Sequence, residues 1–260
     1  MLNFFENVMV VTSAIGGSLV LWWLVVRFWP SEQRREHNEI TGWQLSVLGT
    51  TYAVILGFML FAAWADFKAA DENAEVEAVC LVNLFWAASG LPENQRDEIR
   101  RLALQYADTI LEEEWPAMSR GGMAPGVTKI VQQMWETAVQ KEDLTATEQT
   151  SLDKTMSEIG SITEHRRIRQ LQNESKLPGI LWLVLLVGGL VTIMSASLFG
   201  SQRPMLHMIQ IVTLTLLLSL ALAAVADINR PFRGFVHVSP NGFENAKRIF
   251  ERYGGSQEAR

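Results

Sequence analysis

Apolar residues in this chain collect in four long windows. From Asn7 to Val26, Trp43 to Ala65 and Leu177 to Gln202 there is no Asp, Glu, Lys or Arg, and from Pro204 to Ala226 the only titratable side chain is His207. Each window reaches the roughly 20 apolar residues that cross a bilayer core of about 30 Å. The pattern predicts an all-α membrane protein with four transmembrane helices in two pairs and a helical insert between the pairs. The expected segments are 1–65 for the first two helices, 66–176 for a helical cytoplasmic domain, 177–227 for the third and fourth helices, and 228–260 for a cytoplasmic tail. A soluble globular chain, a disordered chain and a disulfide scaffold are excluded. The first window is not read as a cleaved signal peptide, because no Lys or Arg precedes it and no A-x-A site follows.

Local punctuation sharpens these boundaries. Trp23, Trp29, Trp43, Trp64 and Trp182 sit near window ends, where an interfacial aromatic belt is expected. Trp22 lies deeper, where a partner helix is the alternative neighbour. Pro30 ends the first helix, because proline cannot continue the hydrogen-bond ladder. The second helix is expected to run on past the membrane, since Asp66 to Ser89 contains neither Pro nor Gly. Gly90 and Pro92 then read as a helix stop and a new first turn. The next helix is expected to end near Trp115, and a third begins near Pro125. A fourth opens at the capping box Thr145-Ala-Thr-Glu148 and extends to Glu174.

Charge gives an orientation. The insert carries 12 Lys and Arg against 20 Asp and Glu, a net of −8 in a chain of net −6. Near the membrane, the side of the insert and termini offers Lys68, Arg166, Arg167, Arg169, Lys176, Arg230 and Arg233. The hairpin side offers Arg27, Arg34, Arg35 and Arg203. The positive-inside rule counts Lys and Arg, so the insert and both termini are expected in the cytoplasm. Arg166, Arg167, Arg169 and Lys176 are expected to touch anionic lipid headgroups. Asp66 and Asp227 close the second and fourth helices against the negative end of the helix dipole. Interfacial pairing with Arg230 and Arg233 would relieve that.

Candidate chemistry is sparse. There is no Walker loop, no G-x-G-x-x-G, no H-E-x-x-H and no nucleophile elbow. Glu112, Glu113 and Glu114 could be imagined as a metal site with His165. Consecutive helical residues point about 100° apart, so a solvated helix end is the better reading. Cys80 is read as a buried small apolar residue. No cofactor, metal or nucleic acid is expected, and no enzymatic activity.

The second helix is the most informative span. Its outer half carries Ser46, Thr50, Thr51 and Tyr52, and Phe58 and Phe61 lie deeper. Hydroxyls leading to an aromatic constriction suit a pore that closes by dewetting. Hydroxyls bonded back to helix carbonyls, beside ordinary core aromatics, are the alternative. Gly49, Ala53 and Gly57 recur every four residues there, and Gly188, Thr192, Ala196 and Gly200 do so on the third helix. Such stripes let helices approach closely in lipid, within one subunit or between subunits. On this pattern Gly57→Leu should damage the protein more than Gly189→Leu, which lies off its stripe.

Ordered motifs run nearly end to end. Arg35-Glu36-His37-Asn38-Glu39 precedes the second helix, which carries Tyr52-Ala53-Val54-Ile55-Leu56-Gly57-Phe58. The insert holds Gly90-Leu91-Pro92-Glu93 and Glu112-Glu113-Glu114-Trp115-Pro116-Ala117-Met118. The third helix begins Leu177-Pro178-Gly179-Ile180-Leu181-Trp182. The tail reads Asp227-Ile228-Asn229-Arg230-Pro231-Phe232-Arg233-Gly234, then Val238-Ser239-Pro240 and Phe243-Glu244. The chain resembles the bestrophin-like domain family of bacterial membrane proteins, remote relatives of the pentameric bestrophin anion channels. In the family's commoner tail an Asp stands where this chain has Asn229, with Asp227 two positions earlier. The acidic cluster that binds calcium in animal bestrophins is not evident.

The resemblance implies a homo-oligomeric ion channel, a pentamer by analogy, in a lipid bilayer, with a permeant inorganic ion. On the residues alone, the second helix would line the pore through Ser46, Thr50, Gly57, Phe58 and Phe61. A basic hairpin mouth favours anions and an acidic insert favours cations, so selectivity is undetermined. The alternative is a non-conducting membrane scaffold or sensor whose acidic insert binds a soluble partner.

Overall fold

The computed structural model describes residues 4–140, 144–174 and 177–254. The regular structure among the described residues is all helical, with no strand. Helix α1 spans Phe4–Phe28, α2 Ser31–Glu36, α3 Asn38–Ala87, α4 Glu93–Thr109, α5 Trp115–Ser119, α6 Gly126–Ala138, α7 Ala146–Glu174, α8 Gly179–Ser197, α9 Pro204–Ile228 and α10 Asn241–Gly254. Four of them, α1, α3, α8 and α9, are long and apolar enough to cross a membrane. The chain divides into two compact units, 1–65 with 176–229 and 66–175 with 230–260.

Helix α3 is continuous through Ala65 to Asp71, as the breaker-free run predicts. Its 50 residues extend about 75 Å at about 1.5 Å per residue. A 3-10 turn at Ala88–Gly90 ends it, and Pro92 caps α4.

In the first unit, α1 packs chiefly on α9, and α3 meets α8 through Tyr52. The Tyr52 ring lies against Gly188, where a Cβ would come within 2.6 Å of it. The phenol donates to the Leu185 carbonyl at 2.9 Å, which satisfies its hydroxyl in a water-free setting. Leu56, Ala63, Leu185 and Val225 complete this small buried cluster. Trp22 faces a partner helix, donating to His207 on α9.

The α2 hairpin is stitched to the turn after α8. Buried Arg34 donates to the carbonyls of Ser197 and Phe199 at 3.1 and 2.9 Å, placing a cation on the negative end of α8. Asn38 donates to the Gly200 carbonyl and accepts from its amide, both at 2.9 Å. Gly200 therefore lies beyond α8 instead of on its packing stripe. A Cβ there would meet the Arg35 amide nitrogen at 2.5 Å. Asn229, at the other end, accepts from the Leu177 amide at 3.1 Å and ties the end of α9 to the approach to α8.

The second unit has the larger core, built from α3 after Asp66, α4, α6, α7 and α10. The capping box forms as expected: the Glu148 carboxylate accepts from the Thr145 amide at 2.8 Å, and the Thr145 hydroxyl accepts from the Glu148 amide at 3.3 Å. One boundary differs. Helix α4 does not stop at Trp115. It passes through a π-helical turn at Ile110–Glu114 into the single turn of α5, which takes Pro116 in its first positions. Proline is tolerated there because a first-turn amide needs no partner inside the helix. The tail is not a separate segment. Phe232 and Phe243 pack on Trp115, whose indole donates to the Val238 carbonyl at 3.3 Å, and Phe250 stacks on Phe85.

Candidate functional site

The transmembrane half of α3 has two unlike faces. Tyr52, Leu56 and Ala63 are buried. Ser46, Thr50, Gly57, Phe58 and Phe61 are all exposed, the two phenylalanines at 66% and 70%. At about 100° per residue these five fall within an arc of about 120°. Trp43, Val47 and Val54 share the arc and are exposed too. A Cβ added at Gly57 would meet no atom within 4 Å.

The hydroxyls on this face are free. Thr41, Thr192 and Thr213 bond back to the carbonyl four residues earlier, at 3.0, 2.8 and 2.9 Å. The Ser46 and Thr50 hydroxyls make no hydrogen bond among the described residues. A helical hydroxyl with no partner in its own chain must find water, lipid or another chain.

The second unit holds a buried ionic cluster. Arg169, fully buried, donates from Nε to Glu77 at 2.7 Å and from Nη2 to both Glu77 and Glu114 at 2.9 Å. Arg166 holds the other Glu114 oxygen at 2.9 Å and reaches Thr128 at 3.1 Å. The Tyr106 phenol donates to Glu77 at 2.6 Å. Burial opposes charge on Arg169, yet Glu77, Tyr106 and Glu114 together outweigh it and raise its pKa. Burial, reinforced by the Glu77 charge, pushes the Tyr106 phenol well above its usual value. The guanidinium also stands 5.4 Å from the Trp115 ring centre. Two carboxylates against two guanidiniums make a neutral set, as a dry interior requires.

This cluster corrects the lipid-contact expectation. Arg166 and Arg169 point inward and are sealed by Glu114 and Glu77, so neither reaches a headgroup. Arg167, between them, is exposed. Lys176 lies outside the described residues. Glu114 likewise departs from the solvated helix end; only Glu112 and Glu113 are exposed. His165 pairs with Asn73 at 2.8 Å. Cys80 is buried, and burial first, then the Glu158 charge, raises its thiol pKa.

The expected pairing of Asp66 with Arg230 or Arg233 is not seen among the described residues. All three belong to the second unit. Asp66 and Arg230 are exposed. The Arg233 guanidinium lies against Gly121, where a Cβ would sit 2.5 Å from Nη2 and where φ is +91°. Asp227 closes α9 in the first unit and is buried.

Sequence reading missed Glu77, Glu114 and Arg34 as partners. A signal existed for Glu77 and for the inward direction of Arg166 and Arg169. Asn73 and Glu77 interrupt the small apolar stripe Ala70, Ala74, Ala78 and Leu81. Arg166 and Arg169 continue the spacing of Ile159 and Ile162 along one face of α7. Charges on an apolar stripe are buried charges, and buried charges need partners.

A sequence profile described as the Bestrophin-like domain matches residues 12–243. Among solved structures, a crystal structure of a bacterial Bestrophin homolog from Klebsiella pneumoniae, carrying a point substitution, aligns with a TM-score of 0.66 at 14% identity, covering 96% of this chain and 99% of that one. A second substituted form aligns at 0.65 and 14%, with the same coverage. A structure described as a membrane protein aligns at 0.62 and 12%, covering 95% and 98%. No curated protein matches the chain.

Proposed function

The chain belongs to the Bestrophin-like domain family, and from that premise we propose that it is a homo-oligomeric ion channel of the bacterial inner membrane, its pore lined by the transmembrane half of α3. The observation that carries this reading is the open arc of α3: Ser46, Thr50, Gly57, Phe58 and Phe61 face away from every other helix of their own unit. A four-helix unit encloses no path through itself, so a pore has to lie on a symmetry axis between copies. Free hydroxyls in the outer half would replace water around an entering ion. Rings of Phe58 and Phe61 would expel water and close the path without a moving part. The family's pentamer is the assembly taken by analogy, with the second unit and both termini in the cytoplasm.

The test is ion flux from liposomes. The wild-type chain should conduct weakly, and Phe58→Ala with Phe61→Ala should raise the flux at least about tenfold, the equivalent of about 1.4 kcal/mol off a barrier. A scaffold or sensor would pass no ions in either form.

A further inference from the structure

His207 sits where three transmembrane helices meet. It is the fourth residue of α9, about 5 Å from the helix start on the hairpin side, and it is 4% exposed. Its Nδ1 lies 3.1 Å from Trp22 Nε1 on α1. Its Nε2 lies 3.1 Å from the Ala196 carbonyl near the end of α8.

These two contacts fix the proton. An indole N–H only donates, and a carbonyl only accepts. Nδ1 must therefore be bare, and Nε2 must carry the hydrogen. The ring in this arrangement is the neutral Nε2–H tautomer, and both of its nitrogens are used. We propose that His207 is a proton-operated latch between α1 and α9, opened by acid on the hairpin side.

A second proton can go only to Nδ1. That nitrogen would then point a donor at the Trp22 donor, and the bond is lost. The Nε2 bond to Ala196 survives, so α9 stays on α8 while α1 is released. The new cation would also arrive near Arg34, whose charge is felt at the ring and which holds the carbonyls of Ser197 and Phe199 just beyond Ala196. Among the described residues no carboxylate offsets it, and Glu32 and Glu36 on α2 are exposed. Helix α8 carries no titratable side chain. On α1 the nearest charge is exposed Arg27, five residues beyond Trp22. On α9 exposed Arg203 lies at the helix start and Asp227 twenty residues away. The set turns a proton into a lost hydrogen bond, with nothing nearby to hold the charge in place.

The test uses the full chain in lipid nanodiscs with 15N-labelled histidine and tryptophan, followed from about pH 8 to about pH 5, the range in which imidazole titrates. Trp22→Phe identifies the indole signal. At high pH, Nδ1 of His207 should read as an unprotonated nitrogen and the Trp22 indole proton should be protected. At low pH both should change together, and indole exchange should rise at least about tenfold beyond its intrinsic pH dependence. His207→Asn keeps an acceptor oxygen near the Nδ1 position and cannot take a proton, so its indole signal should stay flat. A protonated Nδ1 at high pH in the wild-type chain overturns the proposal, as does an indole that ignores pH or a His207→Asn chain that titrates like wild type.

Discussion

The two halves of α3 obey different rules although one helix contains both. After Asp66, its inward positions, from Ala70 through Asn73, Glu77 and Leu81 to Phe85, are buried within one unit. Before Asp66, only Tyr52, Leu56 and Ala63 are buried, and large apolar side chains such as Phe58 and Phe61 stand open. Water explains the first half of this contrast and lipid the second. In water an apolar face must close on its own chain, because exposure costs about 25 cal/mol per Å². In a bilayer that penalty vanishes, so helix packing rests on small residues, hydrogen bonds and close fit. A span can therefore leave a whole face for lipid, for another copy or for a pore.

The contrast breaks most sharply at Arg169. Replacing it with Ala strands Glu77 and half of Glu114 in a dry core, and such losses run to roughly 3–5 kcal/mol. Denaturant unfolding in detergent should show the second unit melting first, whereas Phe58→Ala on the open face should leave the melting curve in place. If both variants melt alike, the two halves are not energetically distinct.

Next in size is a glycine comparison. Gly188→Leu drives a side chain into the Tyr52 ring within one unit, and overpacking of that kind costs about 1–3 kcal/mol. Gly57→Leu meets nothing in its own chain and should act on assembly alone. This revises the order expected from the sequence stripes. A Cβ added at Gly189 would also meet Tyr52, 3.1 Å from its hydroxyl, so Gly189→Leu should destabilise the monomer as Gly57→Leu does not. Thermal melts read beside oligomer size in detergent separate the effects. A Gly57→Leu monomer that melts early would refute the assignment.

Smaller effects sharpen the picture. Tyr52→Phe deletes one hydrogen bond and leaves the Leu185 carbonyl to its helix, a loss of about 1 kcal/mol. Thr145→Ala removes the cap of α7 in the second unit and should cost a similar amount, roughly 0.5–2 kcal/mol. A double variant of this pair should be additive, because the two sites share no partner. A coupling above about 0.5 kcal/mol would show that the two sites interact.

What was legible in the sequence was local. Charge-free windows, the unbroken run into α3 and the Thr145/Glu148 box each depend on neighbours within a few residues. The ionic cluster depends on chain distances of 92 between Glu77 and Arg169 and 55 between Glu114 and Arg169, which no window covers. A basic run near a membrane suggests headgroup contact because a sequence shows its charge and not its direction. Arg166 and Arg169 share one face of α7, and Arg167 lies on another. The candidate pore face was legible as hydroxyls, small residues and aromatics. Its exposure was not, since the same composition would suit a buried seam.

The central claim is that the open arc of α3 faces water on a pore axis. The direct test places a cysteine at Phe61 in a Cys80→Ser background, reconstitutes the protein in liposomes, and adds a charged, membrane-impermeant thiol reagent while ion flux is recorded. The account predicts that flux present before the reagent falls by at least about tenfold, and that a cysteine at Leu56, on the buried face, leaves flux unchanged. Flux that persists after the Phe61 cysteine is fully modified would contradict it.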